Sequence, residues 1–311
     1  MDTDFLDWAL ADFSGYVAAE ELYDGPFCIL SAVDKRCDKR ILYDVLEHAP
    51  PHDDIRTFLK RLHTALSARA LPLVGITTDG AALYPVPLAE IGRGVSHQIC
   101  AFHVLAEVGQ AVLGAVASAR KSLTAKQPKV PKGRPSTPAA TQAARIKQRL
   151  TEQRAALFTA RYLFVQRHLH KTERKTLWRV SRGWPQLRAL RAIMAQVYAL
   201  FERRCRTQTA LDKLAKLQRR VQRFTALGET LKKLFAPTLA KALTFLDDRL
   251  LPATSNAVER GNRRYRQRQK SVYRVRTPAQ ICARLALDMW REAHAEGRQQ
   301  TLALLHLARA G

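Results

Sequence analysis

Short alternating and apolar runs come first along this chain, and apolar positions at helical spacing follow. Residues 15–22 and 27–33 are rich in apolar side chains and flank Tyr23-Asp24-Gly25-Pro26. Adjacent glycine and proline stop a strand and favour a tight turn, so these runs predict a β-hairpin. A turn centred near residue 25 sets Glu20 opposite Ile29 or Leu30. Residues 40–46 add a third strand. Phe58, Leu59, Leu62 and Leu66 recur every three or four residues, which predicts a helix over 55–69. Residues 71–77 form a short apolar run ahead of Asp79, as a strand buried on both faces would. A further short strand is expected over 98–102, followed by a helix over 104–123.

The pattern then changes. Residues 125–141 hold Pro128, Pro131, Pro135 and Pro138 among Lys126, Lys129, Lys132 and Arg134. Prolines remove helix donors and like charges repel, so an exposed, mobile basic loop is expected. From about 143 to 250 nearly every stretch has helical spacing, with breaks near Gly183-Trp184-Pro185, Gly228 and Pro237. Leu211, Leu214, Leu217, Val221 and Phe224 make one core-facing stripe. Residues 256–309 read as helical again, interrupted near Thr277-Pro278. The chain thus divides into an α/β stretch over 1–124, the basic Pro/Lys-rich loop over 125–141, an all-helical insertion over 142–250, and C-terminal helices over 251–311 that complete the α/β core.

Composition narrows the partner. The chain of 311 residues carries 52 Lys and Arg against 27 Asp and Glu, a formal charge of +25. A polyanion is the simplest explanation of such an excess. Nucleic acid fits better than membrane, because no apolar run approaches the ~20 residues of a spanning helix. The start, Met1-Asp2-Thr3-Asp4-Phe5, is acidic, unlike a signal peptide. Cysteines at 28, 37, 100, 205 and 282 form neither a disulfide framework nor a CxxC pair. A reducing cytoplasm, beside the nucleoid, is the expected location.

Phosphodiester transfer needs an in-line oxygen nucleophile, a leaving oxygen, and charge held on both. Two divalent cations ~3.5–4 Å apart supply this. Mg²⁺ prefers carboxylate oxygens, so about three acids from distant parts of the chain must converge. Asp79 ends a buried strand and precedes Gly80, which permits close approach, although Asp-Gly after a strand is also an ordinary turn. Glu259 lies three residues after Asn256, a spacing that also suits a capping box. Glu259, Arg263, Arg266 and Lys270 follow spacings of 4, 3 and 4 and share one helix face. Cations there can grip phosphates beside a scissile bond, or Arg263 can pair with Glu259 within the helix. Arg260, Arg263, Arg264, Arg266, Arg268, Lys270, Arg274 and Arg276 meet no acid in this run, and Tyr265 and Tyr273 between them can stack on bases or pack. Cys100 and His103 form a C-x2-H pair, with His97 as a third candidate ligand. One Cys and one His do not complete a tetrahedral zinc site, so these residues read as structural and zinc is not expected.

Three segments carry a resemblance: Val74-Gly75-Ile76-Thr77-Thr78-Asp79-Gly80, Cys100-Ala101-Phe102-His103, and Ala253-Thr254-Ser255-Asn256-Ala257-Val258-Glu259-Arg260-Gly261-Asn262-Arg263-Arg264. Together they resemble the core of the DDE transposases of bacterial insertion sequences. The likeness runs from Ser14 to His306 and is strongest over 75–104, 178–217 and 243–277. It implies an RNase H-like α/β core interrupted by a large helical insertion, the order of elements read above. It also implies DNA transposition with Mg²⁺ or Mn²⁺, with water and then a DNA 3′-hydroxyl as nucleophile and no covalent enzyme intermediate.

Where that family carries its first aspartate, in a pattern like Asp-Glu-x-Tyr, this chain has Glu20-Glu21-Leu22-Tyr23. The resemblance therefore makes Glu20, Asp79 and Glu259 the catalytic metal ligands, with Arg260, Arg263, Arg264, Arg266 and Lys270 on DNA. Asp24 and Asp34 lie more than ~12 Å along the strands from the place of Glu20. The extra methylene of Glu shifts its carboxylate by roughly 1.5 Å. Misplacement by ~1 Å can cost ~10²-fold, so impaired activity and a preference for Mn²⁺ are expected, the alternative being that Glu20 is this branch's working ligand. Transposon ends and target DNA are the implied partners, held by at least a dimer. The candidate site begins close to Met1, so the DNA-end-binding domain that usually precedes such a core is expected to be missing. The rival readings are a non-catalytic DNA-binding remnant and a structure-selective nuclease or resolvase on the same fold.

Overall fold

The computed structural model describes residues 3–92, 94–130, 136–222, 232–271, 277–295 and 297–310. Helix α1 (Thr3–Leu10) leads into strands β1 (Tyr16–Asp24), β2 (Phe27–Asp34) and β3 (Arg40–Leu46). Helix α2 (His52–Ser67), strand β4 (Gly75–Thr78), helix α3 (Pro85–Ile91) and strand β5 (Ser96–Ile99) follow. Among the described residues these strands form one mixed sheet in the order β3-β2-β1-β4-β5. β1 runs antiparallel to β2 and parallel to β4, and β4 runs parallel to β5. The fold is α/β, with strands in RNase H-like order and a long helical region after them.

The hairpin and third strand fall where the pattern puts them, with one change of register. Pairing continues to Asp24 and Phe27, so only Gly25 and Pro26 turn the chain, with Gly25 at φ 62°. Glu20 consequently faces Ser31, and Glu21 faces Leu30. β4 is shorter than the expected run over 71–77, because pairing with β1 begins at Gly75 opposite Tyr16. A Cβ at Gly75 would lie 2.8 Å from the Leu251 side chain and 3.0 Å from the Tyr16 ring, so the close approach there requires glycine. β5 stops at Ile99, not 102, and a helix begins at Ala101.

The two sheet faces are covered differently. Val17, Ala19 and Ile76 pack on one face with Ile55, Phe58, Leu59, Leu62 and Leu66, the buried stripe of α2. Each such aliphatic side chain contributes roughly 1.5–3 kcal/mol by leaving water. On the other face Ala18 and Val33 pack against Ala257 and Val258, while Leu22 and Ile29 pack against Tyr265, Ile281 and Leu285. The C-terminal residues therefore return to the sheet.

The chain splits into two compact units, one comprising Met1–Cys100 with Asp247–Gly311 and the other Ala101–Leu246. The second is helical: α4 (Ala101–Ala125), α5 (Pro138–Thr159), a 3₁₀ turn (Arg161–Phe164), α6 (Lys171–Val180), α7 (Pro185–Leu200), α8 (Thr207–Gln222) and α9 (Pro237–Lys241). α4, which the pattern assigns to the α/β stretch, belongs to this unit. By length and composition α4 is also apolar enough to cross a membrane, a test that the core helix of a folded unit passes equally. It buries Val104, Val108, Val112, Val116 and Leu123 and packs on α5 and α7. Pro138 opens α5 under a Thr137 cap, whose side chain accepts from the Ala140 N–H, so the basic loop ends before 141. Residues 131–135, Phe224 and Gly228 lie outside the described residues. The α8 stripe is Ala210, Leu214, Leu217 and Val221, with Ala210 taking the place of Leu211.

Charge divides along the same line. The α/β unit holds 22 basic and 21 acidic residues, and the helical unit holds 30 and 6. Nearly all of the net +25 belongs to the helical unit.

Candidate functional site

Asp79 follows the last residue of β4. Its Oδ1 accepts the Ala81 N–H at 2.9 Å, so the ordinary turn role is real. Gly80 has φ +96°, and a Cβ there would lie 2.9 Å from Ile99 Cγ2. Only glycine combines that backbone conformation with that contact. The turn thus fixes where the Asp79 carboxylate starts, while occupying one of its oxygens.

Two acids on β1 point opposite ways. Ala18 and Leu22 face the helices formed by the C-terminal residues, so Glu20 between them faces the same side. The parallel pairing ends at Ala18↔Thr77, so Glu20 and Asp79 each lie two residues beyond the last pair on neighbouring chain segments. Glu21 shares the other face with Val17 and Ala19, where the buried Tyr84 hydroxyl donates to it. Burial, and then the charge of Asp79, push the Glu21 carboxyl up to about 7. Its Oε1 is buried with no hydrogen-bond partner among the described residues. Burial raises Tyr84 well above the usual phenol range, helped by Glu21, Asp79 and Glu20 in that order. Sequence reasoning passed over Glu21; its one signal was that two adjacent strand residues must face opposite sides.

Glu259 lies on α10 (Asn256–Ser271). The Glu259 N–H donates to the Ser255 carbonyl, which makes Ser255 the N-cap. Asn256 is already the first helical residue, so the capping box expected from it does not form. The Ser255 hydroxyl instead approaches Glu259 Oε1 at 3.4 Å. Ser255 N–H also donates to Cys100 Sγ at 3.4 Å, and Cys100 N–H donates to the Thr78 carbonyl at 2.7 Å. The Thr77 hydroxyl donates to the Pro252 carbonyl at 3.1 Å. These bonds tie the end of β4 to the start of α10, and Cys100 is the joint between them. Cys100 Sγ lies within 4.8 Å of a Glu259 carboxylate oxygen. His97 Nε2 meets the Thr78 hydroxyl at 3.0 Å, and His103 sits in the first turn of α4, in the helical unit.

The basic run on α10 separates into two sets. Ala257, Val258, Asn262 and Tyr265 are its buried face, and Arg263 and Arg266 are exposed. Arg260 pairs with Asp38, and Arg264 lies 3.5 Å from Glu292. Both therefore meet acids that are distant in sequence. No ion pair joins Arg263 to Glu259 among the described residues. The Arg268 and Lys270 side chains, and residues 272–276 with Tyr273, Arg274 and Arg276, lie outside the described residues. Tyr265 is no stacking surface: it is buried, and its hydroxyl donates to Asp24 at 3.0 Å. Burial first, and then Asp24, raise its ionisation above the usual range.

The remaining acids have structural tasks. Asp34 is buried and accepts from the backbone N–H groups of Ser14, Arg36 and Cys37. Asp24 also accepts from Gln269, and Asp248 accepts the Tyr16 hydroxyl at 2.7 Å. Lys35, after β2, is a cation that sequence reasoning missed. Burial and then Arg260 lower its pKa, while Asp38, Cys100 and Glu259 oppose that shift. Its nearness to Glu259 arises from strand pairing and has no local signature.

No family model, curated protein or solved structure matches this chain.

Proposed function

We propose that this chain is the catalytic part of a DDE-type transposase, with Glu20, Asp79 and Glu259 as its divalent-metal ligands. The observation that carries this reading is the bonded path from Thr78 through Cys100 and Ser255 to Glu259, with Glu20 on the α10 side of the strand that pairs with β4. Three acids far apart in sequence thereby belong to neighbouring elements. The donor set is all carboxylate oxygen, which suits Mg²⁺ or Mn²⁺. Bound cations would activate the attacking water and stabilise the leaving oxygen.

The protein's own residues supply position. Glu20 and Asp79 rise from adjacent strands of a rigid sheet, and Gly80 lets the backbone turn sharply below the substrate. Arg263 and Arg266 extend along α10 from Glu259 and hold flanking phosphates. In cleavage, a water oxygen bonds to phosphorus and the P–O3′ bond breaks, leaving a 3′-hydroxyl and a 5′-phosphate. In transfer, that 3′-hydroxyl attacks a target phosphate and the target's own 3′-oxygen leaves.

The test is nicking and joining of supercoiled plasmid in Mg²⁺ and Mn²⁺ by the native chain, Asp79→Asn and Glu20→Asp. Metal-dependent nicking that Asp79→Asn abolishes is the expected result, with Glu20→Asp faster than native. Silence in both the native chain and Glu20→Asp would sink the proposal. A second reading, DNA binding without cutting, draws support from Glu at position 20 and from the concentration of charge in the helical unit. It predicts steep salt dependence and no metal-stimulated nicking.

A further inference from the structure

The helical unit holds an excess of 24 basic residues, yet the exposed cations alone do not distinguish one polyanion from another. Its exposed aromatic side chains do. Phe158 lies in the last turn of α5 and Tyr162 in the following 3₁₀ turn, and they are 48% and 57% exposed. The Arg161 guanidinium lies 4.1 Å from the Phe158 ring centre and 4.3 Å from that of Tyr162. Arg161 Nη1 also donates to the Phe158 carbonyl at 2.7 Å, which tethers the guanidinium near both rings. Arg120, on α4, lies 4.7 Å from the Phe158 ring. On α6, Trp178 is 60% exposed, with Arg182 at 5.6 Å. Among the described residues none of these three arginines has a carboxylate within ion-pair distance.

An aromatic side chain that served only packing would be buried. Here about half of each residue's surface remains exposed, next to planar cations without an acid in ion-pair distance among the described residues. Phosphates satisfy the cations, and a π-face satisfies the rings. A duplex keeps its bases stacked inside and offers phosphates only. An unpaired strand offers both.

We propose that Phe158, Arg161 and Tyr162 form a stacking platform for unpaired DNA nucleotides on the helical unit, backed by Arg120. The platform concerns binding alone and stands whether or not the α/β unit cuts DNA.

The experiment is fluorescence anisotropy of a labelled oligothymidine strand and of a labelled duplex, with the full chain in EDTA. Phe158→Ala and Tyr162→Ala should each weaken strand binding about 10-fold while duplex affinity and its salt slope stay unchanged. Tyr162→Phe, which keeps the ring, should bind as the native chain does. Equal losses on strand and duplex, or no loss on either, would overturn the platform. Tighter binding of an RNA strand of equivalent sequence would overturn DNA as its occupant. Plasmid nicking is a separate readout, so failure here leaves the catalytic reading intact and failure there leaves the platform intact.

Discussion

The α/β unit and the helical unit differ modestly in basic residues, 22 against 30, but more than threefold in acidic ones, 21 against 6. Acids in the α/β unit have assigned tasks: Asp34 and Asp248 hold turns, Asp24 anchors Tyr265, Asp38 and Glu292 pair with arginines, and Glu20, Glu21 and Asp79 share one end of the sheet. A site that gathers carboxylates repels a phosphate chain. On the reading proposed above, the cationic unit would supply an attraction for phosphate that the carboxylate-rich unit does not. Scarcity of acids in the helical unit thus accounts for more of the charge difference than its extra bases do.

That comparison can be broken most directly by salt. Changing Arg145, Lys147 and Arg149, exposed on α5, together to Gln should reduce the slope of log affinity against log salt for duplex DNA by up to about 3. Affinity at low salt should fall by on the order of 10–100-fold. Changing Arg260 and Arg264 together should move the slope much less, since Asp38 and Glu292 already partner them. Equal slopes from the two sets, measured by anisotropy, would mean that the units share the grip.

Stability sharpens the comparison next. Gly80→Ala forces a Cβ against Ile99 at positive φ and should cost roughly 1–3 kcal/mol in urea unfolding. Gly114, in α4 of the helical unit, has no atom within 4 Å of an added Cβ. Gly114→Ala should therefore be neutral or stabilising by up to about 1 kcal/mol.

The pH dependence follows from Glu21. Its folded carboxyl titrates at about 7, above the 4.5 of an unperturbed glutamate. Its contribution to stability is therefore fully present below pH 4.5 and is lost as pH rises through 7. With EDTA present, the native chain should lose roughly 2 kcal/mol of stability between pH 5 and pH 8 from this group, and Glu21→Gln should remove that loss. An unchanged pH profile in Glu21→Gln, followed by thermal melting, would show that the carboxyl is solvated. The smallest effect is expected on α10: Arg263→Gln should weaken DNA binding a few-fold, with no change in melting temperature, whereas Arg264→Gln should lower it slightly by removing the Glu292 contact.

Local periodicity made much of this legible. The hairpin, the third strand over 40–46 and the buried stripe of α2 emerge because side chains a few residues apart decide them. The same reasoning put Asp79 after a strand and Glu259 at the start of a helix, as the structure has them. It failed where the answer depends on residues far away. Arg264 looked unpartnered because Glu292 lies on the next helix, and Tyr265 looked like a stacking residue because Asp24 lies more than two hundred positions earlier.

The sequence by itself determined which segments become strands and helices, the excess of positive charge, and the two carboxylates at element ends. Only the tertiary structure decided that Glu20 faces α10 while Glu21 faces Tyr84, because one residue of register sends a side chain to the opposite face of a sheet. It also decided which sheet residues the expected C-terminal helices cover. That choice follows from burial: Ala257, Val258, Tyr265, Ile281 and Leu285 leave water only against the sheet, and no local pattern records which surface will cover them.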